Sequence, residues 1–188
     1  LEDIPLVAWR FLKAGVKSAY DPFHTPCIAT MSIDGPTQRT VVLRYVDTEQ
    51  RIIACHTDRR SMKVRDVLDE PRASWLFYDR KRKLQLRISG TTTLHTDDEF
   101  AKTCWSHVPA QARACYNTTL RPGQHVSAPP RAPKVADKEL ELLNARSHFA
   151  VLACQITFLD WLFLSAKGHR RAQFRWHGDQ CIASWVAP

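Results

Sequence analysis

A closed antiparallel β-barrel with helices packed outside it is the fold class this sequence predicts, and three observations predict it. Segments rich in Val, Ile, Thr and aromatic residues follow one another between turn residues. They do not alternate with helices as a parallel sheet requires, and neither a G-x-G-x-x-G sequence nor an internal repeat is present. The C-terminus reads as a hairpin, His169 to Trp176 pairing with Cys181 to Val186 across His177-Gly178-Asp179. At 188 residues the chain is long enough for one substantial core, so residues 1–188 are expected to form a single domain, mainly β with α additions.

Ile4, Leu6, Val7, Phe11, Leu12 and Val16 recur at helical intervals, and Tyr20-Asp21-Pro22 closes this segment, which predicts an amphipathic helix within residues 1–20. Three strands follow at Cys27 to Ser32, Arg39 to Val46 and Arg51 to Thr57, punctuated by Asp34-Gly35-Pro36 and Asp47-Thr48-Glu49 and ordered as a meander. Ser61 to Leu68 is a short helix stopped before Pro71, Ala73 to Tyr78 a strand, and Lys83 to His95 a longer one. In that longer strand Leu84, Leu86 and Ile88 alternate with Gln85, Arg87 and Ser89, so one face is buried and the other offers an amide and a guanidinium. Thr96-Asp97-Asp98-Glu99 reads as a capping box for a helix to about His107, with a second helical stretch from Pro109 to Tyr116. Residues 121–136 form a Pro-rich connection, and Asp137 to Ala145 another short helix. Residues 149–188 complete the barrel, with strands at Phe149 to Leu159 and Trp161 to Ser165 before the hairpin.

Hydrophobic residues make up 44% and charged residues 24% of the chain, as in ordinary soluble proteins, and no apolar run is long enough to span a bilayer. No membrane partner is therefore expected. A net charge of +8 and a pI near 9.4 draw the protein to phosphates, nucleic acid or acidic surfaces without choosing among them. The six cysteines are far apart, with no C-x-x-C pair and no His at zinc-finger spacing, so no metal site is expected. Several lie in apolar stretches, which suits buried thiols in a reducing cytoplasm.

Four polar clusters are candidates for chemistry. Thr57-Asp58-Arg59-Arg60-Ser61-Met62-Lys63 ends a strand and opens a helix, crowding hydroxyls and cations where free N–H groups and the helix dipole already favour an anion. This is either a phosphate seat or a plain helix start capped by Ser61. Arg39 and Arg44 flank a strand; five residues apart, they meet one ligand only if that strand bends or bulges. Gln85 and Arg87 share a strand face. Lys167, His169 and Arg171 follow Trp161 and, if extended, point to one side, either at an anion or into solvent.

R-T-V-V-L-R at 39–44, H-T-D-R-R-S-M-K at 56–63, L-Q-L-R-I-S-G at 84–90 and W-L-F-L-S-A-K-G-H-R-R at 161–171 together resemble the pyridoxamine 5'-phosphate oxidase family. The resemblance runs from about Cys27 to the C-terminus and is closest to the oxidase-related FMN-binding branch. It implies a split β-barrel homodimer holding FMN at the subunit interface. It further implies that Arg39, Ser61 and Lys63 grip the FMN phosphate, with Arg60 in the same junction, and that Val41, Val42 and Arg44 lie along the flavin. His56 and Thr57 take the place of an aromatic-Thr pair beside the ring, Gln85 matches a flavin-bonding glutamine, and Trp161 and Arg171 match cofactor contacts from the C-terminal strands.

The family's oxidase clamps its substrate's phosphate with a tyrosine, an arginine and a serine, where this chain has Cys104, Val108 and Ala112. Lys167 and His169, in contrast, fall where the family has an arginine and a histidine, which makes them the candidate catalytic residues. The expected function is an FMN-dependent oxidoreductase acting on a small substrate over the flavin, with the substrate-phosphate clamp largely missing. A flavin or tetrapyrrole carrier or sensor without turnover is the alternative. A nucleic-acid-binding module using Arg80-Lys81-Arg82-Lys83 and Arg170-Arg171 is the third reading.

Overall fold

A computed structural model describes residues 1–130 and 144–188. Helix α1 (Asp3–Lys17) leads through a 3-10 turn at Pro22–His24 into β1 (Cys27–Ser32), β2 (Gly35–Thr40), β3 (Leu43–Asp47) and β4 (Ile52–Asp58). Helix α2 (Met62–Asp69) precedes β5 (Arg72–Asp79) and β6 (Leu84–His95), and α3 (Glu99–Ser106), the single turn α4 (Ala110–Arg113) and a 3-10 turn at Ala114–Tyr116 follow. The chain ends with β7 (Phe149–Phe163), β8 (Arg170–His177) and β9 (Gln180–Val186). The expected helix at Asp137 to Ala145 lies almost wholly outside the described residues; residues 144–148 are helical and lead into β7.

All strand pairs are antiparallel, in the order β2-β1-β5-β6-β7-β4-β3, with β8 on β7 and β9 on β8. The two ends of that order, β2 and β3, are joined by Val41 and Val42 alone. Two residues span little distance, so the sheet must curl back on itself into a barrel. Along β7 the neighbour changes: β4 pairs with it as far as Gln155, and β8 takes over from Phe158. The β6–β7 register shifts at that changeover, between Ser89 and Gly90. Gly90 is required there, because a Cβ would collide with the carbonyl of Gln155.

The alternation of apolar residues supplies the interior. Leu12 and Phe23 from the N-terminal elements meet Ile28, Leu43, Ile53, Trp75, Phe77, Leu86, Ile88, Leu152 and Phe174 in one buried cluster. A second cluster lies under α3, where Cys104 and Val108 pack on Ala54, Phe149, Val151 and Ala153.

Four expectations are corrected. The strand expected over Arg39 to Val46 is two strands at opposite ends of the sheet order, so no meander forms; the Val41 N–H makes a last bond toward β1, to the Pro26 carbonyl at 2.9 Å, before the chain departs. The strands expected on either side of Asp160 are one, β7, because guanidiniums from β6 and β8 meet the carboxylate within the sheet. Asp98, not Thr96, caps α3, accepting the Ala101 N–H at 2.9 Å. Lys167 and His169 precede β8 in a turn at Gly168 (φ +115°), so they do not form an extended stripe with Arg171.

Candidate functional site

The end of β4 and the start of α2 form a densely bonded polar group. Asp58 accepts from the Arg60 backbone N–H at 2.8 Å and from its guanidinium at 3.0 and 2.7 Å, which turns the chain out of the strand. Burial opposes the Asp58 charge, but these Arg60 bonds prevail and hold its carboxyl below the ordinary value. Ser61 then starts α2 from an extended conformation, yet its side chain makes no capping bond. Its buried hydroxyl instead lies 3.2 Å from that of Thr57, and Lys63 Nζ donates to Thr57 Oγ1 at 3.1 Å and Ser61 Oγ at 3.3 Å. The capping explanation of Ser61 therefore fails, and the hydroxyls are turned toward a cation.

Arg39 reaches the same place from β2. It donates to Thr30 Oγ1 at 2.6 Å and Thr37 Oγ1 at 2.7 Å, and Asp66 on α2 lies 3.5 Å from its guanidinium. Burial pulls the Lys63 ammonium below its ordinary value, and the neighbouring Arg39 cation adds to the effect. Two half-buried cations held together with hydroxyls at a helix start gain most from an anion. A cavity of about 480 Å³ opens beside them, lined by Arg39, Val41, His56, Thr57 and Lys63 and, across from these, by Tyr116 and Arg121 of the following loop.

Arg60 is not on that cavity wall; its remaining reach goes to the Thr118 carbonyl at 2.9 Å, tying the loop to the junction. Val42 sits beside Val41 in the two-residue link. Arg44 is exposed at a bulge in β3, between the paired residues Leu43 and Tyr45. Its charge is felt at His56, whose pKa falls to about 4 through burial and then through Arg44. The break at Val41–Val42 and this bulge interrupt the strand between Arg39 and Arg44, but only Arg39 lines the cavity.

The other candidates lie elsewhere. Gln85 and Arg171 occupy one row on the sheet's outer face, on either side of Leu162. Trp161, one residue earlier in β7, points to the opposite face and packs against Phe163 and Trp185. Arg171 is bonded to Asp160 at 2.8–3.2 Å. Lys167 and His169 are exposed, and His169 Nδ1 accepts the Ser165 N–H at 3.0 Å. The structure thus brings Arg39, Val41, His56, Thr57, Ser61 and Lys63 together and leaves Gln85, Trp161, Lys167, His169 and Arg171 at the far end of β7.

A family model for the pyridoxamine 5'-phosphate oxidase FMN-binding domain matches residues 7–96, the span that contains the whole junction. That span, just under half of the chain, resembles the FMN-binding domain of this oxidase family. A curated relative, the pyridoxine/pyridoxamine 5'-phosphate oxidase of Bradyrhizobium diazoefficiens, is 32% identical over 104 residues, 55% of this chain and 47% of the relative. The match thus spans about half the length of that relative. Among solved structures, an oxidase-related FMN-binding protein from Nostoc punctiforme superposes with a TM-score of 0.76 at 19% identity, covering 97% of this chain and 96% of that one. PhzG from Burkholderia lata, solved in complex with tetrahydrophenazine-1-carboxylic acid, superposes with a TM-score of 0.70 at 18% identity, covering 98% and 92%. Both likenesses establish the split-barrel fold.

The FMN of this family carries a phosphate monoester, and the junction fits that group: two cations to neutralise it, two hydroxyls to donate, and the N-terminus of α2 beneath. Sequence reasoning missed Thr30, Thr37 and Asp66, which hold Arg39, and Tyr116, Thr118 and Arg121, which close the cavity. Only the spacing of Asp66 on the same helix as Lys63 offered a signal. Among the described residues no group of His, Cys, Asp or Glu is placed to hold a metal ion, and no helix is long and apolar enough to cross a membrane.

Proposed function

We propose that the chain is an FMN-dependent oxidoreductase working as a homodimer, each flavin shared between the junction of one subunit and the Gln85, Trp161 and Arg171 end of its partner. The length of β7 carries this reading. Thr57 pairs opposite Ala150, whereas Trp161 lies further along the same strand, roughly 35 Å away at the rise of a β-strand. No single flavin reaches both ends within one subunit, while a two-fold axis brings unlike ends together.

Bound FMN supplies two-electron redox chemistry at its ring. Arg39 and Lys63 neutralise the phosphate, and Thr57 and Ser61 turn their hydroxyls from each other to its oxygens. Arg60 pins the loop over that seat, Val41 and Val42 give apolar contact, and Arg44 sets a cation beside neutral His56. His169 receives the Ser165 N–H at Nδ1, so its neutral ring keeps a proton on Nε2 to donate to a substrate. Lys167 on the same turn orients an anionic group.

The substrate is small and carries no phosphate. Cys104 and Val108 are buried and Ala112 partly so, all within the apolar cluster under α3, and the loss of charge-assisted bonds there makes a phosphate monoester a poor substrate. The same apolar wall, with Lys167 and His169 exposed, favours a second reading, a flavin carrier without turnover.

The test is an absorption spectrum of the protein as isolated, with mass spectrometry of the released chromophore, followed by the double variant Arg39→Ala/Lys63→Ala. FMN affinity should fall at least a hundredfold, on the order of 3 kcal/mol. Unchanged affinity overturns the site. Flavin that is retained but never reduced by amines, alcohols or nicotinamide cofactors selects the carrier.

A further inference from the structure

We infer that Asp160 is a positioning residue, its buried carboxylate aiming Arg171 and Arg87 outward as a paired guanidinium platform for the polar edge of the flavin. The inference rests on the reading of Arg171 as a flavin contact, and it adds two residues that nothing above assigns to the site.

Asp160 stands near the C-terminal end of β7 with 1% of its side chain exposed, a costly place for a charge and a poor one for strand propensity. It does not face the barrel core. Its row across the sheet runs Leu76, Arg87, Asp160, Gln173, and the next row runs Tyr78, Gln85, Leu162, Arg171. Leu76 and Tyr78 are exposed, which marks this face as the outer one.

Four donors converge on the one carboxylate. Arg171 Nε reaches Oδ1 at 3.0 Å and its Nη2 reaches Oδ2 at 2.8 Å, the side-on fork that fixes a guanidinium plane. Arg87 Nη2 and Gln173 Nε2 reach Oδ2 at 2.6 and 2.9 Å. Burial works against the charge, but the bonds from Arg171, Arg87 and Gln173 prevail and keep the carboxyl below its ordinary value.

One carboxylate between two guanidiniums leaves a net positive charge. Arg87 and Arg171 remain 46% and 25% exposed, so that charge is presented rather than buried. Gln85, the other flavin candidate on this face, flanks it across Leu162. A rigid donor pair beside an amide suits the carbonyl and nitrogen edge of a planar heterocycle, where electron density accumulates on reduction.

The test is a double-mutant cycle on FMN affinity, read by flavin fluorescence, with the thermal midpoint followed in parallel. Asp160→Asn and Arg171→Met should each weaken FMN about tenfold, and the double variant should be no weaker than Arg171→Met within twofold. Arg87→Met, which leaves Asp160 satisfied by Arg171, should weaken FMN severalfold, and it decides the matter should Asp160→Asn fail to fold. FMN affinities of Asp160→Asn and Arg87→Met within twofold of the native protein, or losses that multiply in the cycle, overturn the inference while leaving the phosphate seat intact. A native protein that holds no FMN overturns both readings.

Discussion

His56 lies under two influences that disfavour its charge, burial against the edge of Phe149 and the Arg44 cation. With a folded pKa near 4 and an unfolded one near 6.5, the unfolded chain binds the extra proton between those values. Stability is therefore full above about pH 6.5 and falls as the pH drops toward 4, by on the order of 3 kcal/mol. Melting curves across that range should show the slope in the native protein and a flatter one in His56→Phe, which keeps the ring contact with Phe149. Equal slopes would mean that His56 titrates normally. Single residues were legible here as chemical types but not as partners. Ser61 and Lys63 stood out as a hydroxyl and a cation at a helix start, yet whether Ser61 caps α2 depends on a side-chain rotation that no spacing encodes. Asp160 read as a strand breaker because its two guanidiniums come from strands that the sequence separates widely.

At the scale of elements, Gly90 is the most exacting position described. Its Cα sits where β6 crosses the Gln155 carbonyl and β7 exchanges one neighbour for another. Gly90→Ala should cost about 3 kcal/mol or more through this clash, read as a fall in thermal midpoint; an unchanged midpoint would mean that the sheet yields at the changeover. The strands themselves were legible wherever one face is buried, as in β6, where Leu84, Leu86 and Ile88 alternate with Gln85, Arg87 and Ser89. The break between β2 and β3 was hidden, because Val41 and Val42 are as fit for a strand as their neighbours. It is imposed by barrel closure, a demand of the whole sheet. The loop from Cys115 to Pro122 was also opaque: Arg60 and His148 hold it by its carbonyls, bonds that any residue there accepts equally.

For the whole molecule, the excess of positive charge resolves into local uses. Arg82, from the most basic run, pairs with Asp21 and Asp79, which leaves that run a poor footprint for nucleic acid. Arg39 and Lys63 are gathered at one cavity, Arg87 and Arg171 around one carboxylate. These two gatherings stand at opposite ends of β7, and that separation has a genetic consequence. On the proposed reading of a flavin shared between two subunits, a protein lacking Arg39 and Lys63 and a protein lacking Trp161 and Arg171 are each without a whole flavin place. Co-expressed with different tags, they should complement one another: every mixed pair rebuilds one complete place and concentrates all defects in the other. Random pairing then restores about a quarter of the native flavin content. Complementation is impossible if each polypeptide furnishes its own cofactor place unaided.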